Sequence, residues 1–197
     1  MSTHDSERWN ERYANGAYGE RTHPAVLLED WLHVVPSGRA LDIACGAGRN
    51  AVFLAAGGFE VTGVDISTAA LELAATRADQ AGLAICWQQH DLDEPLSVVD
   101  PYALIIVVRY ADAALVTELT KALQPGGVLL VEAHLGGEKF TTEVGGPGSE
   151  RFRLAPGQLA AACAGLEVLH SREDQIRDPD GRLMALAQFV GRSPLAS

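Results

Sequence analysis

Three carboxylates and one glycine turn carry the chemistry that is legible in this chain. Asp42 stands in "ALDIACGAGRN", Ala40 to Asn50; Asp65 closes "VTGVD"; Asp91 lies in "HDLD". Each ends or follows an apolar run, so each is expected near the carboxyl end of a strand, where open α/β sheets hold their ligands. Gly46-Ala47-Gly48-Arg49-Asn50-Ala51 fits the nucleotide-binding pattern G-x-G-x-x-G/A. Glycines in such a turn let a ligand approach the backbone with no Cβ in the way.

The turn alone does not say which nucleotide. A pyrophosphate seeks backbone N–H donors and a helix N-terminus, and a carboxylate nearby opposes it. Asp42, four residues before Gly46, occupies a place where a dinucleotide turn carries an apolar residue or glycine. S-Adenosylmethionine, with its sulfonium and ammonium, suits an acid at the lip of the turn. On that reading Asp65, 19 residues after Gly46, accepts from both ribose hydroxyls, and Asp91 accepts from the exocyclic amine of adenine. An NAD(P)-dependent oxidoreductase remains the alternative on spacing, and a non-catalytic S-adenosylmethionine-binding protein is a third reading.

These residues need a scaffold. Five apolar runs, "RALDIA", "FEVTGVD", "LAICWQQ", "ALIIVVR" and "GGVLLVEA", alternate with amphipathic stretches, the pattern of parallel strands joined by helices. "ALIIVV" suits a central strand covered on both faces, and "LAICWQQ", with Leu83, Ile85 and Trp87 on one side, suits an edge. Helices are expected over 50–56, 68–81 after the cap Ser67, and 112–123, the last with Leu115, Leu119 and Leu123 buried. Beyond them, Asp178-Pro179-Asp180-Gly181 between two apolar stretches marks an antiparallel hairpin, where a second dinucleotide half would supply another strand-helix-strand unit.

The first two segments, "LDIACGAGRNAVFLAAGGFEVTGVD", and "LQPGGVLLVEA" resemble the class I S-adenosylmethionine-dependent methyltransferases over most of the chain. That resemblance implies a Rossmann-like three-layer α/β sandwich: a seven-stranded, mostly parallel sheet ordered 3-2-1-4-5-7-6, strand 7 antiparallel, with helices on both faces. It also places Ala44, Gly46, Gly48, Asn50, Ile66 and Leu92 beside the cofactor, with Ala44 standing where the usual motif has a glycine. "GAGRNAVFLAAGGFEV" with upstream "YGERTHPAVL" is similar, more narrowly, to the small tellurite-resistance-like bacterial methyltransferases. Tyr18 and His23 in that upstream stretch are then expected near the cofactor.

Composition narrows the partners. The chain of 197 residues, 47% apolar, suits one domain. We read 1–36 as an N-terminal helical lid, 37–135 as the cofactor-binding core, and 136–197 as a flap, a helix and the hairpin. A net charge of −11 disfavours nucleic acid and leaves a small-molecule substrate. The polar, acidic start and the absence of a spanning apolar run suggest a soluble cytoplasmic protein, monomeric or homodimeric. Cys45, Cys86 and Cys163 show no metal-ligand spacing, so no metal is expected, and Cys86 and Cys163 read as small buried residues.

Candidates for handling the acceptor are Arg109, ending the fourth strand, and His134, following the fifth. Arg109 could grip an anion, or the cofactor, through its planar fork, or simply pair with an acid; His134 could take a proton near neutral pH. Trp9 and Tyr13, four apart, read as packing. With no evident acid-base pair, the reading is methyl transfer to a soft or readily ionised acceptor, a thiol or a chalcogen oxyanion.

Overall fold

The computed structural model describes residues 3–98, 101–137 and 144–195. Helices α1 (Thr3–Ala14) and α2 (Val26–Trp31) precede the sheet; α3 (Arg49–Ala56), α4 (Thr68–Gln80), α5 (Ala113–Thr120) and α6 (Gln158–Ala162) connect its strands. The strands are β1 (Arg39–Ile43), β2 (Glu60–Asp65), β3 (Cys86–Gln89), β4 (Tyr102–Val108), β5 (Leu123–His134), β6 (Glu167–Arg177) and β7 (Leu183–Arg192). They form one sheet ordered β3-β2-β1-β4-β5-β7-β6, with β7 antiparallel to both neighbours. This is the expected fold. β4, apolar throughout, is buried along its whole length between β1 and β5, so its two faces feed two cores. Each of its buried Leu, Ile and Val side chains contributes about 1.5–3 kcal/mol by leaving water.

Helix ends follow local chemistry. Ser67 Oγ accepts from Ala70 N–H at the start of α4, and Asp112 accepts from Leu115 N–H at the start of α5. The fifth helix is shorter than expected: it ends at Thr120, and Leu123 opens β5 instead of closing the helix. Pro125-Gly126-Gly127 lies inside β5 at a register shift, where a Cβ on Gly127 would stand 2.7 Å from the Tyr102 carbonyl oxygen. Only glycine lets that bulge close against β4. Cys86, expected inside, is exposed on the edge strand β3; Cys45 and Cys163 are buried.

Two attachments bring the N-terminal segment over the carboxyl end of the sheet. Asn10 Oδ1 on α1 accepts from Ser67 Oγ at 2.8 Å and from Ala69 N–H at 3.2 Å, clamping α1 to the start of α4. Ala25 N–H donates to Asn50 Oδ1 at 2.8 Å, tying the approach to α2 onto α3. The middle of the expected flap, 138–143, lies outside the described residues, as do 1–2 and 196–197 of the end segments.

Candidate active site

A cavity of about 660 Å³ opens at the carboxyl ends of β1, β2, β4 and β5, within the size range of a nucleotide pocket. Ala44, Cys45, Gly46, Ala47, Arg49 and Asn50 form its floor, Asp65, Ile66, Asp91 and Leu92 one wall, and Arg109 and His134 another; Tyr18 closes it from the N-terminal side. The floor is shaped by left-handed backbone: Ala44, Gly46 and Gly48 have φ of 53°, 53° and 77°. Ala44 therefore carries the strain that a glycine in its place would avoid.

Asp65 is the organising acid. One of its oxygens accepts from Gly46 N–H at 2.8 Å and the other from Ser67 N–H at 2.9 Å. Those bonds pin the glycine turn to the end of β2 and leave further acceptor capacity on each oxygen. Burial pushes its pKa up, and the same N–H groups oppose the rise.

Other expected residues are placed differently. Asp42 is only 1% exposed, and it does not line the cavity. Neither of its oxygens has a hydrogen bond of good geometry, and burial pushes its pKa up to about 8 against the pull of Arg49 and of the nearby Ala51 N–H. Burial thus favours the neutral form of Asp42, which lies beneath the turn and not at its lip. Gly48 serves packing: a Cβ there would stand 2.8 Å from both Ala74 and the Trp87 ring. His23 stays out of the cavity and contributes its carbonyl, which accepts from Arg49 Nη1 at 3.1 Å.

Trp9 and Tyr13 do more than pack. Both line the cavity, and with Tyr18 they form an aromatic triangle with centroids 5.8–6.5 Å apart. The Tyr13 hydroxyl lies where a Cβ on Gly46 would project. Burial and the neighbouring Asp65 raise its pKa.

Among the described residues, the cavity also gathers seven of the chain's thirteen arginines, against two carboxylates, Asp65 and Asp91. The expectation of a crevice ringed by negative charge is corrected by this: acids mark the β2 and β3 ends, and arginines dominate elsewhere. Several are engaged. Arg77 donates to the carbonyls of Ala47 and Gly19, Arg21 pairs with Asp180, and Arg109 pairs with both Glu132 and Asp178. Arg49 has no carboxylate within ion-pair distance among the described residues, and burial with Arg109 and Arg21 nearby lowers its pKa.

Three of the described side chains on these walls, His134, Tyr110 and Cys45, are poor bases at neutral pH. Burial and the cations Arg109, Arg153 and Arg21 hold His134 down to about 3. Burial pushes Tyr110 up to about 12, and the Cys45 thiol well above its ordinary value.

Residues 40–127 match the family described as "Methyltransferase domain". That segment runs from β1 to the bulge of β5 and holds the glycine turn, Asp65 and Asp91. That segment is similar to a methyltransferase domain. The chain is 29% identical over 149 residues to the ubiquinone biosynthesis O-methyltransferase of Caulobacter sp. (strain K31), covering 66% of this chain and 59% of that one. It spans 42% of the length of another curated relative. Its structure is similar to TehB from Haemophilus influenzae (TM-score 0.71, 19% identity, 93% of this chain and 67% of that one). It is likewise similar to a SAM-dependent methyltransferase from Methanosarcina mazei (TM-score 0.67, 18% identity, 88% and 100%). These likenesses are of fold alone, and they run through the C-terminal hairpin.

Among the described residues, no helix is long and apolar enough to cross a membrane.

Proposed function

We propose that this protein transfers a methyl group from S-adenosylmethionine to a small-molecule acceptor. The observation that carries the reading is the bond from Gly46 N–H to Asp65. A pyrophosphate would need that donor and would meet the carboxylate that already holds it, which disfavours the NAD(P) alternative. A ribose instead brings hydroxyl donors to the remaining acceptor sites on Asp65.

The other walls fit the same compound. Ile66 and Leu92 offer apolar surface for the adenine ring, Asp91 an acceptor for its amine, and the Trp9-Tyr13-Tyr18 triangle a cover. Arg49 suits the methionyl carboxylate. That role has no sign in the sequence, where Arg49 reads only as the variable position of a glycine motif. When bound, the cofactor supplies an electrophilic methyl together with its leaving group. The chain's own residues then hold the acceptor in line and exclude water.

The absence of a ready base among His134, Tyr110 and Cys45 supports an acceptor that arrives ionised or soft: a thiolate, or a chalcogen oxyanion as the narrower sequence resemblance suggests. The net charge of −11 argues against a nucleic-acid acceptor. Titration calorimetry tests the reading: we expect micromolar binding of S-adenosylmethionine and its demethylated product, weakened about tenfold or more by Asp65→Ala. No heat from either compound, together with fluorescence of bound NADH, overturns it.

A further inference from the structure

We propose that Arg77 is a positioning residue for the cofactor: its one guanidinium fixes the gap between the glycine turn and Tyr18, and so the height of the slot that S-adenosylmethionine enters. The inference rests on the reading of the cavity as the S-adenosylmethionine site. Arg77 Nη1 donates to the carbonyl of Ala47 at 2.8 Å, and Nη2 donates to the carbonyl of Gly19 at 2.6 Å. Ala47 follows Gly46 on the floor, and Gly19 follows Tyr18 on the N-terminal side. Floor and cover are thus spaced by a single planar fork, whose two prongs cannot move apart.

The cover needs such a tie. Tyr18 has a φ of 62°, a left-handed conformation that a bulky residue rarely adopts. Strain of this kind persists only where the surroundings over-determine it, and it gathers at ligand sites. Packing does not supply the constraint, because none of residues 15–22 is buried. Among the described residues, the polar ties from this stretch to the fold beyond α1 are two: the Arg77 bond to Gly19, and the ion pair of Arg21 with Asp180 at 2.7 Å. The ion pair joins a side chain of the stretch itself to the tip of the hairpin. Arg77 stands instead on α4, whose Ala70, Leu71, Ala74 and Ala78 are buried, so it refers the cover to a rigid base. With Asn10 bound at the start of the same helix, α4 holds the N-terminal segment at both of its ends.

The ring held in this way is within reach of a ligand. Tyr18 is 39% exposed and lines the cavity, and its ring stands 5.8 Å from that of Tyr13, whose hydroxyl lies over Gly46. A compound seated on the turn therefore lies between the floor that one prong of Arg77 holds and the ring that the other prong places. Bonds from a charged donor to carbonyls are of the strong class, so the spacing is set before the ligand arrives.

The test is a double-mutant cycle on the full chain, read by calorimetry with S-adenosylhomocysteine. Tyr18→Ala and Arg77→Met should each weaken binding about tenfold, and the double variant should be no more than about twofold weaker than the weaker single, since a ring already out of place has nothing left to lose. Fluorine NMR with fluorotyrosine at the four tyrosines, Tyr18 assigned through Tyr18→Phe, supplies a readout that a merely structural role would not move. Saturating S-adenosylhomocysteine should shift the Tyr18 signal in the wild type and leave it in place in Arg77→Met. Where Arg77→Met does not fold, Arg77→Lys carries the same test, because it keeps the charge on α4 and loses the fork. Wild-type affinity in either single variant, losses that multiply to about a hundredfold in the double variant, or a Tyr18 signal that shifts equally with and without Arg77 overturns the proposal. Failure of the wild-type chain to bind S-adenosylhomocysteine overturns instead the reading on which it rests.

Discussion

Asp42→Asn isolates the energetic consequence of burying an acid beneath the glycine turn. In the unfolded chain this carboxyl has a pKa near 4, and in the fold burial raises it to about 8. The native state therefore keeps a proton that the unfolded chain releases across that interval. Because the folded value is the higher one, the stability associated with this group is full below about pH 4 and is lost as pH rises toward 8. The slope is about 1.4 kcal/mol per pH unit, levelling off once the native carboxyl also ionises. Asparagine keeps the shape without the ionisation. Its stability relative to wild type should thus start near zero at acid pH, grow with that slope, and plateau above pH 8 at an order of 5 kcal/mol in its favour. Urea unfolding of both proteins in steps from pH 4.5 to 9, with midpoints and slopes fitted at each, measures the difference directly. Parallel stability curves, or an asparagine variant weaker than wild type at pH 8, would refute the argument by showing Asp42 ionised and satisfied in the folded chain.

Two further substitutions examine the scaffold of the site. Ala44→Gly relieves a left-handed residue with φ of 53°. Relief of about 1–2 kcal/mol against a glycine entropy cost of about 0.5–1 leaves the variant more stable by up to about 1.5 kcal/mol, read as a higher melting temperature with S-adenosylhomocysteine affinity unchanged; a lower melting temperature contradicts it. Gly63→Ala puts a Cβ 2.5 Å from the Trp87 ring and 3.2 Å from Cys45 Sγ, and should cost about 1–3 kcal/mol in urea unfolding. A stability equal to wild type would show that β3 yields freely.

The fold was legible because its signals are local. The unbroken apolar run of β4, the Asp178-to-Gly181 turn and the cap at Ser67 each act within a few residues. The site was legible where a strand end and a turn are close in sequence, as with Asp65 and Gly46. Asp42 was misread because a sequence gives an acid's place along a strand but not the burial of its side chain. Trp9 and Tyr13 were misread because helical spacing is the same for aromatics that pack and for those that face a ligand. The arginine-rich cleft was invisible for a different reason: its members are scattered from Arg8 to Arg182, and only the sheet order gathers them.

The ion pair between Arg21, which lines the cavity, and Asp180 in the hairpin turn, at 2.7 Å, joins segments 159 residues apart. A solvent-facing pair of this kind is worth at most about 1 kcal/mol and fades with added salt. The N-terminal segment is accordingly fastened to the hairpin at this point by a tie that thermal motion undoes easily, and the two should part more often as ionic strength rises.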